Sequence, residues 1–402
     1  MTTLGLILRD RSLRLIALGL IAFGTMGSTL GAYQSLIGIE RFGFSDGQYA
    51  LIFMTGSALS LVATLGVGIL TDRSAKRRTM ARFMALAGMA GAFGVTLTHS
   101  PVAFVLAHVL FFPAFGTLFG QLFALARLAG SVHPPERRTA IQTTIRAIFC
   151  LPFLVVLPLW AVAFNLGVNL LAVYFVGGVA ATALLAIFVF AWPRDGATAW
   201  RDTASGLSLA AALGEMARWP VLSRLVLLSG IQGANAVYMI TVGLILNAAE
   251  GRGPGDVGLF VGIVAGLEMP VILALPWLTA RIGLTPALTL GALIYGAFLF
   301  ALPFLGALPV VWLLIAPGAI GAGVLASLPL LYVQEMMSRR PGTGGSLVSL
   351  VFLGGQVISA GVFALGSALG GYAVATTIGA AMVTVCALTL LYADREGMPV
   401  QA

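Results

Sequence analysis

The chain has 402 residues, 59% of them hydrophobic and 9% charged, with a mean hydropathy of +1.02. A soluble domain carries about 25% charged residues, so a soluble fold is excluded. The net charge of +8 invites a nucleic-acid reading, but the basic residues sit in short loops between apolar runs of about 20 residues, the pattern of a polytopic all-α protein in a lipid bilayer.

Charges and turn residues cut the sequence into twelve predicted helices, at 14–37, 48–70, 81–98, 102–126, 140–164, 168–192, 224–247, 257–279, 286–305, 309–334, 345–369 and 372–392. Arg9, Arg11 and Arg14 precede the first run with no short apolar core and small-residue cleavage site, so this helix is expected to stay in place. Of the 22 basic residues, 19 fall at the termini and in the loops at 71–82, 127–138, 193–224, 280–285 and 335–344. The opposite loops hold Arg41 and Arg252, and Arg146 lies inside a helix. Basic loops stay on the cytoplasmic side, which orients both termini and the central loop there. The 21 arginines against one lysine fit a GC-rich bacterial genome, and the expected location is the bacterial inner membrane.

In the first helix Thr25, Thr29 and Tyr33 recur every four residues with Gln34 beside them, a spacing that puts polar groups on one face. Gly24, Gly27 and Gly31 would admit a neighbouring helix at close range. The loop after the second helix reads Gly68-Ile69-Leu70-Thr71-Asp72-Arg73-Ser74-Ala75-Lys76-Arg77-Arg78. It resembles the signature loop of the major facilitator superfamily, where a glycine, an Asp-Arg pair, a second glycine and two basic residues keep this spacing. Ala75 stands where that pattern has its second glycine. The resemblance implies twelve helices in two six-helix halves. It also implies a conformational latch of Gly68, Asp72, Arg73, Arg77 and Arg78, with Asp72 facing the positive end of the eleventh helix near Gly344, Gly345 and Ser346. A solvated basic loop would show the same cluster with no latch. The second half keeps a degenerate copy, Ala280, Arg281 and Gly283. Sliding it back by about 208 positions aligns Arg281 with Arg73 and Glu268 with Ser60, the internal repeat of such transporters.

The fourth helix carries Gln121, and the fifth carries Gln142 and Arg146 one turn apart. Arg146 lies roughly 12 Å inward of Arg138. It is placed to pair with Glu268 or donate to substrate oxygens, or to snorkel back to the interface. The longest polar stretch then divides the chain into a first half at 1–192, a linker at 193–223 and a second half at 224–402. Within it, Ser208 to Arg218 reads either as a short helix on the membrane surface or as a plain tether.

Gln232, Asn235 and Tyr238 recur every three residues in the seventh helix. Carboxamides donate and accept together, matching a substrate hydroxyl, and an aromatic ring can cover an apolar C–H face. Glu268 in the eighth helix is the one carboxylate deep in a span, about 18 Å from Asp256 and about 20 Å from Arg281 along the helix, near the midplane. A carboxylate there costs on the order of 2.5–3.5 kcal/mol to insert, which makes it a functional candidate. Proton coupling needs a group that is neutral when occluded and ionised when wetted; the alternative is a neutral residue that locks helix packing. Pro270 frees a carbonyl one turn back. The eleventh helix adds Ser349, Gln356 and Ser359. Polar residues also serve as glue between membrane helices, so each amide has two readings.

A narrower resemblance rests on Phe123-Ala124-Leu125-Ala126-Arg127, Ile145-Arg146-Ala147, Val237-Tyr238-Met239-Ile240, Gly266-Leu267-Glu268-Met269-Pro270 and Leu331-Tyr332-Val333-Gln334-Glu335. In order and spacing these are similar to the bacterial sugar efflux transporters. That implies export of small sugars or glycosides in exchange for protons by a monomer, through a cavity lined by helices one, four, seven and eleven. The chain departs from many antiporters of the superfamily in having Leu157-Pro158 where they carry Gly-Pro. Glu268 and Arg146 are the proton-coupling candidates, and Tyr33, Gln34, Gln121, Gln142, Gln232, Asn235, Tyr238 and Gln356 the substrate contacts. No phosphate-cradling or nucleophile-base motif occurs. Neither the histidines nor Cys150 and Cys386 keep a metal-ligand spacing, so no enzyme activity, metal or cofactor is expected. The rival readings are the same fold exporting drugs or other metabolites, and a non-transporting membrane sensor.

Overall fold

A computed structural model describes residues 2–74, 76–195, 197–198, 200, 219–336 and 341–395, and the regular structure among them is helical throughout. Eleven of the described helical stretches are long and apolar enough to cross a bilayer. They comprise α1 (Arg11–Gly31), α2 (Asp46–Ser74), α3 (Arg77–Thr98), α4 (Pro101–Ser131), α5 (Pro135–Asn165) and α6 (Ala172–Ala191). Then come α7 (Trp219–Ala248), α8 (Pro254–Ile282), α9 (Leu284–Leu305), α10 (Pro309–Met336) and a 53-residue stretch, Pro341–Ala393. That last stretch would measure about 80 Å if straight, against a hydrocarbon layer of about 30 Å. It breaks at Gly370 and Gly371, where the backbone leaves helical geometry and Gly371 takes a φ of +79°, a conformation open to glycine at no steric cost. Beside the break, a Cβ on Gly366 would collide with the backbone of Ala375, so the two arms of the hairpin touch through backbone. The arms are α11 (341–369) and α12 (372–393), so the fold is all-α and the described residues form twelve helices long enough to cross a membrane.

Several predicted helices are extended by one or two turns, as in α2, which runs to Ser74, and α5, which starts at Pro135. With no water in the hydrocarbon layer, helix is the conformation that satisfies its own backbone, and it continues until the interface supplies other partners. The first predicted helix, 14–37, is corrected: α1 ends at Gly31, and after a turn at Ala32 and Tyr33 the chain forms a short helix, Gln34–Leu36, and a π-turn, Ile37–Arg41. In α4 a π-turn at Ala107–Phe111 precedes Pro113; the wider turn takes up the hydrogen bond and the space that the proline ring denies an α-helix. The proposed surface helix at 208–218 lies outside the described residues.

The chain divides into two compact units, Met1–Tyr33 with Leu59–Ser205 and Gln34–Ala58 with Gly206–Ala402. In the first, α1 packs along α4, α5 and α6, and α3 along α6. Arg78 donates from Nε to Phe188 O at 2.8 Å and from Nη2 to Val189 O at 2.7 Å, and Arg82 reaches the same two carbonyls at 3.1 Å each. These cations meet the negative end of α6. Just beyond that helix, Asp195 accepts from the Arg78 N–H at 2.8 Å and from the Thr79 hydroxyl at 2.9 Å, capping the start of α3.

The second unit repeats the device with different chemistry. Here α7 packs along the α11–α12 hairpin, α9 along it and α10, and α8 along α10. Asp394, just beyond α12, accepts from the hydroxyl of Thr285 at the start of α9 at 2.9 Å. It also accepts from Tyr332 at 2.9 Å and from Nε of Arg224 at 3.0 Å. The remaining Arg224 nitrogens donate to Ala393 O and Pro220 O. Removing one member of a buried, fully bonded ion pair strands the other, at about 3–5 kcal/mol. Asp394→Ala is therefore expected to lower the unfolding temperature of the detergent-solubilised protein sharply, as read by scanning fluorimetry, and Asp394→Asn by less.

Candidate functional site

In the second unit the polar residues of α7, α8 and α9 come together inside the helix bundle. Tyr238 on α7 is buried, with its ring 5.3 Å from Phe298 and 6.4 Å from Tyr295. Its hydroxyl has no hydrogen-bond partner. Tyr295 on α9 donates its hydroxyl to Oδ1 of Asn235 at 2.9 Å. Glu268 on α8 is half-buried and within electrostatic reach of both tyrosines. Its own carbonyl oxygen lies 3.2 Å from where a Cβ on Gly323 would sit, so α8 and α10 are in close contact at this level. Three of these side chains, Asn235, Tyr238 and Glu268, are sequence-predicted site residues; Tyr295 joins them from a helix that offered no polar face.

The other predicted residues of this unit lie along α7 and α11. Gln232 is buried, its Nε2 has no partner, and it faces Pro329, Leu330, Val333, Val351 and Phe352. Nearby, Gly233 of α7 and Gly355 of α11 meet backbone to backbone, a Cβ on Gly355 falling 2.8 Å from the Gly233 nitrogen. Small residues bring these helices together. Gln356 accepts from the Ser57 hydroxyl at 3.1 Å, and Gln34 is half-buried.

In the first unit the predicted residues separate into two places. Gln121 is buried, accepts from Nη1 of Arg77 at 3.1 Å and donates to the Thr71 hydroxyl at 3.3 Å. Thr71 in turn donates to the carbonyls of Val67 and Gly68. Gln121 is thus bonded to the signature loop, as are Gly68 and Arg77, while Arg78 holds the end of α6. Asp72 and Arg73 occupy the last turn of α2, and their side chains lie outside the described residues.

The second place is a face of α1, α4 and α5. Gln142 is half-buried and Arg146 exposed, and the same side of α5 continues with Phe149 and Phe153. Phe149 lies 5.2 Å from Phe119, 6.1 Å from Phe123 and 5.6 Å from Phe153. Phe23 of α1 stacks on Phe115 at 5.0 Å. Phe119 is 43% exposed, while Phe115 is buried and the other rings are half-buried, so the aromatic cluster is open at one edge. Tyr33 is buried against Phe164 at 5.1 Å, with its hydroxyl unpartnered.

No family model matches the chain. A Deinococcus radiodurans protein named "Putative sugar efflux transporter" is 26% identical over 393 residues, which cover 95% of this chain and 97% of that one. "Sugar efflux transporter A" of Dickeya chrysanthemi is 29% identical over 160 residues, 39% of this chain and 40% of that one. Among solved structures, the nucleoside transporter NupG superposes with a TM-score of 0.75 at 16% identity, covering 96% of this chain and 99% of that one. The peptide transporter POT in complex with sulfate gives 0.74 at 14% identity, covering 96% of each. The fold is that of the major facilitator transporters. The chain is a multi-pass membrane transporter, not an enzyme, and resembles the sugar efflux transporters.

Three residues of the transporter that the sequence did not single out are Tyr295, Asp195 and Ser57. Helical spacing groups residues along one helix, whereas each of these meets a partner on another. Among the described residues no group of three or more histidine, cysteine, aspartate or glutamate side chains could hold a metal ion. Tyr295→Phe leaves the Asn235 oxygen without its donor and is expected to cost about 1–3 kcal/mol of stability. Tyr238→Phe removes a hydroxyl that has no partner and is expected to leave the melting temperature unchanged or raised. Thermal unfolding of the two variants side by side checks this pair of outcomes.

Proposed function

We propose that this protein is a secondary active transporter that exports small sugars or glycosides by alternating access, driven by proton entry. It works as a monomer in the bacterial inner membrane, with both termini cytoplasmic and residues 1–192 and 224–402 as the two halves. The observation that carries the reading is the α7–α8–α9 cluster: Glu268 within electrostatic reach of the Tyr238 and Tyr295 hydroxyls, with Asn235 hydrogen-bonded to Tyr295. Tyr238 is a buried donor without an acceptor, and Glu268 is an acceptor in the low-dielectric interior. A sugar hydroxyl, which donates and accepts at once, satisfies both. When the site is empty, a proton on Glu268 removes the same charge. Substrate and proton then compete for one carboxyl, which is what exchange requires. Gln232 and Gln356 add amides along the same unit, and Tyr33, Gln34 and Gln142 complete the proposed substrate contacts, whereas Gln121, held by Arg77 and Thr71, is left out of them. Arg146 offers a cation to substrate oxygens, and the signature residues Gly68, Asp72, Arg73, Arg77 and Arg78 act as the latch. The names of the Deinococcus and Dickeya relatives support sugar as the cargo.

One observation favours a second reading, export of amphipathic drugs or metabolites. The aromatic face of Phe119, Phe123, Phe149 and Phe153, open at Phe119, suits apolar bodies better than bare sugars. Inside-out vesicles separate the two. Accumulation of labelled sugar on imposing a proton gradient, with no response to amphipathic cations, supports the first reading; the reverse supports the second. Glu268→Gln is expected to abolish gradient-driven accumulation while preserving sugar-for-sugar exchange, and full retention of gradient-driven transport would remove Glu268 from the coupling step.

A further inference from the structure

Ahead of its first crossing the chain forms a short helix, Thr3–Arg9. The Thr2 hydroxyl caps it by accepting from the Gly5 N–H at 3.2 Å. Asp10 then takes an extended backbone, φ −72° and ψ 119°, so the helix turns off the axis of α1 instead of prolonging it. Isolated helices in water need about 12–15 residues, so these seven stay helical only when docked. Ile7 is fully buried, and the helix packs against α5. Asp10 fastens it: Oδ1 accepts from the Leu13 N–H at 3.0 Å, and Oδ2 pairs with Nε2 of His133, in the loop before α5, at 3.1 Å. Arg14 donates from Nη1 to Leu8 O, and Arg11 from Nη2 to Ala191 O at the end of α6, each at 3.1 Å. Arg138 holds the other side of the joint, donating to Ser131 O at 2.8 Å and to His133 O at 3.0 Å.

The docked helix presents outward what neither water nor hydrocarbon accommodates alone. Leu4 and Leu8, one turn apart on a face beside that of Ile7, are 50% and 54% exposed, and Val132 in the loop is 47% exposed. The arginines of these segments, Arg9, Arg11, Arg14, Arg137 and Arg138, are exposed as well. The carboxylates beside them in sequence are Asp10 and Glu136, and Asp10 is already engaged. Leucines next to a surplus of guanidinium groups suit the boundary of an anionic leaflet. There the acyl chains receive the leucines, and phosphates receive the cations in bidentate pairs.

We propose that the Thr3–Arg9 helix, with the loop and first turn of α5 it is fastened to, is a docking surface for anionic phospholipid: Leu4 and Leu8 enter the acyl chains and the surrounding arginines bind the headgroup phosphates. The surface depends on neither the cargo nor the coupling step of the proposed transport. Leu8→Cys, introduced with Cys150→Ser and Cys386→Ser and labelled with bimane, reports on the lipid beside the helix. The protein is reconstituted in vesicles of equal parts phosphatidylcholine and phosphatidylglycerol, with a trace of one or the other lipid carrying a doxyl quencher. Both leaflets have the same composition, so the readout does not depend on which face carries the N-terminus. Doxyl-phosphatidylglycerol is expected to quench the label several-fold more than doxyl-phosphatidylcholine. The same label at Leu97→Cys, in the last turn of α3 and 79% exposed in the native side chain, is expected to show no preference. Adding Arg9→Gln and Arg137→Gln to the Leu8→Cys protein is expected to bring the two quenchers close to equal, with the melting temperature recorded; should that protein fail to fold, Arg9→Gln alone is expected to reduce the preference by about half. Equal quenching by the two lipids with all arginines present, or a preference that survives their replacement, would overturn the proposal.

Discussion

A hydrocarbon layer offers no hydrogen bonds and tolerates no unpaired charge, and this one condition shapes every part of the molecule. It makes the backbone helical wherever it crosses, and it sends the charged side chains to the helix ends, where carbonyls and N–H groups are left over. Arg78 and Arg82 on the carbonyls of α6, and Asp195 on the first turn of α3, show how those leftovers are used. What looks from composition like a sparse basic surface is a set of helix caps.

The two units solve the same problem twice. In each, an aspartate just past the last helix accepts from a threonine at the start of the third: Asp195 from Thr79, Asp394 from Thr285. The arginine partners differ. In the first unit they hold the carbonyls of α6, and in the second Arg224 pairs with the aspartate itself and is buried with it. The internal repeat, faint in the residue alignment, is plain in this shared fastening of first-turn threonine to trailing aspartate.

Inside the spans, polarity is held to a few places, and three of the amides there have a structural task. Asn235 is oriented by Tyr295, Gln121 is bonded to Arg77 and Thr71, and Gln356 accepts from Ser57. The glue reading and the ligand reading of a membrane amide are therefore compatible for Asn235, where the hydrogen bond from Tyr295 that joins two helices leaves the amide nitrogen uncommitted by that bond. Gln121 is the opposite case: both ends of its amide are already engaged by the signature loop.

Helix number, the all-α membrane class and the places of most crossings were legible in the sequence, because burial in hydrocarbon demands about 20 apolar residues per crossing and leaves charges at the ends. The signature loop and the lone deep carboxylate were legible for the same reason: a charged residue stands out against an apolar run. Hidden were the break after Gly31, the π-turn before Pro113 and the engagement of Gln121, none of which changes hydropathy. Hidden too were Tyr295 beside Asn235 and the docking of residues 34–58 on helices some two hundred to three hundred positions away. One-dimensional periodicity says which side chains share a face of one helix. Which faces meet is decided by close packing of small residues, such as Gly233 against Gly355, and only the tertiary structure holds that information.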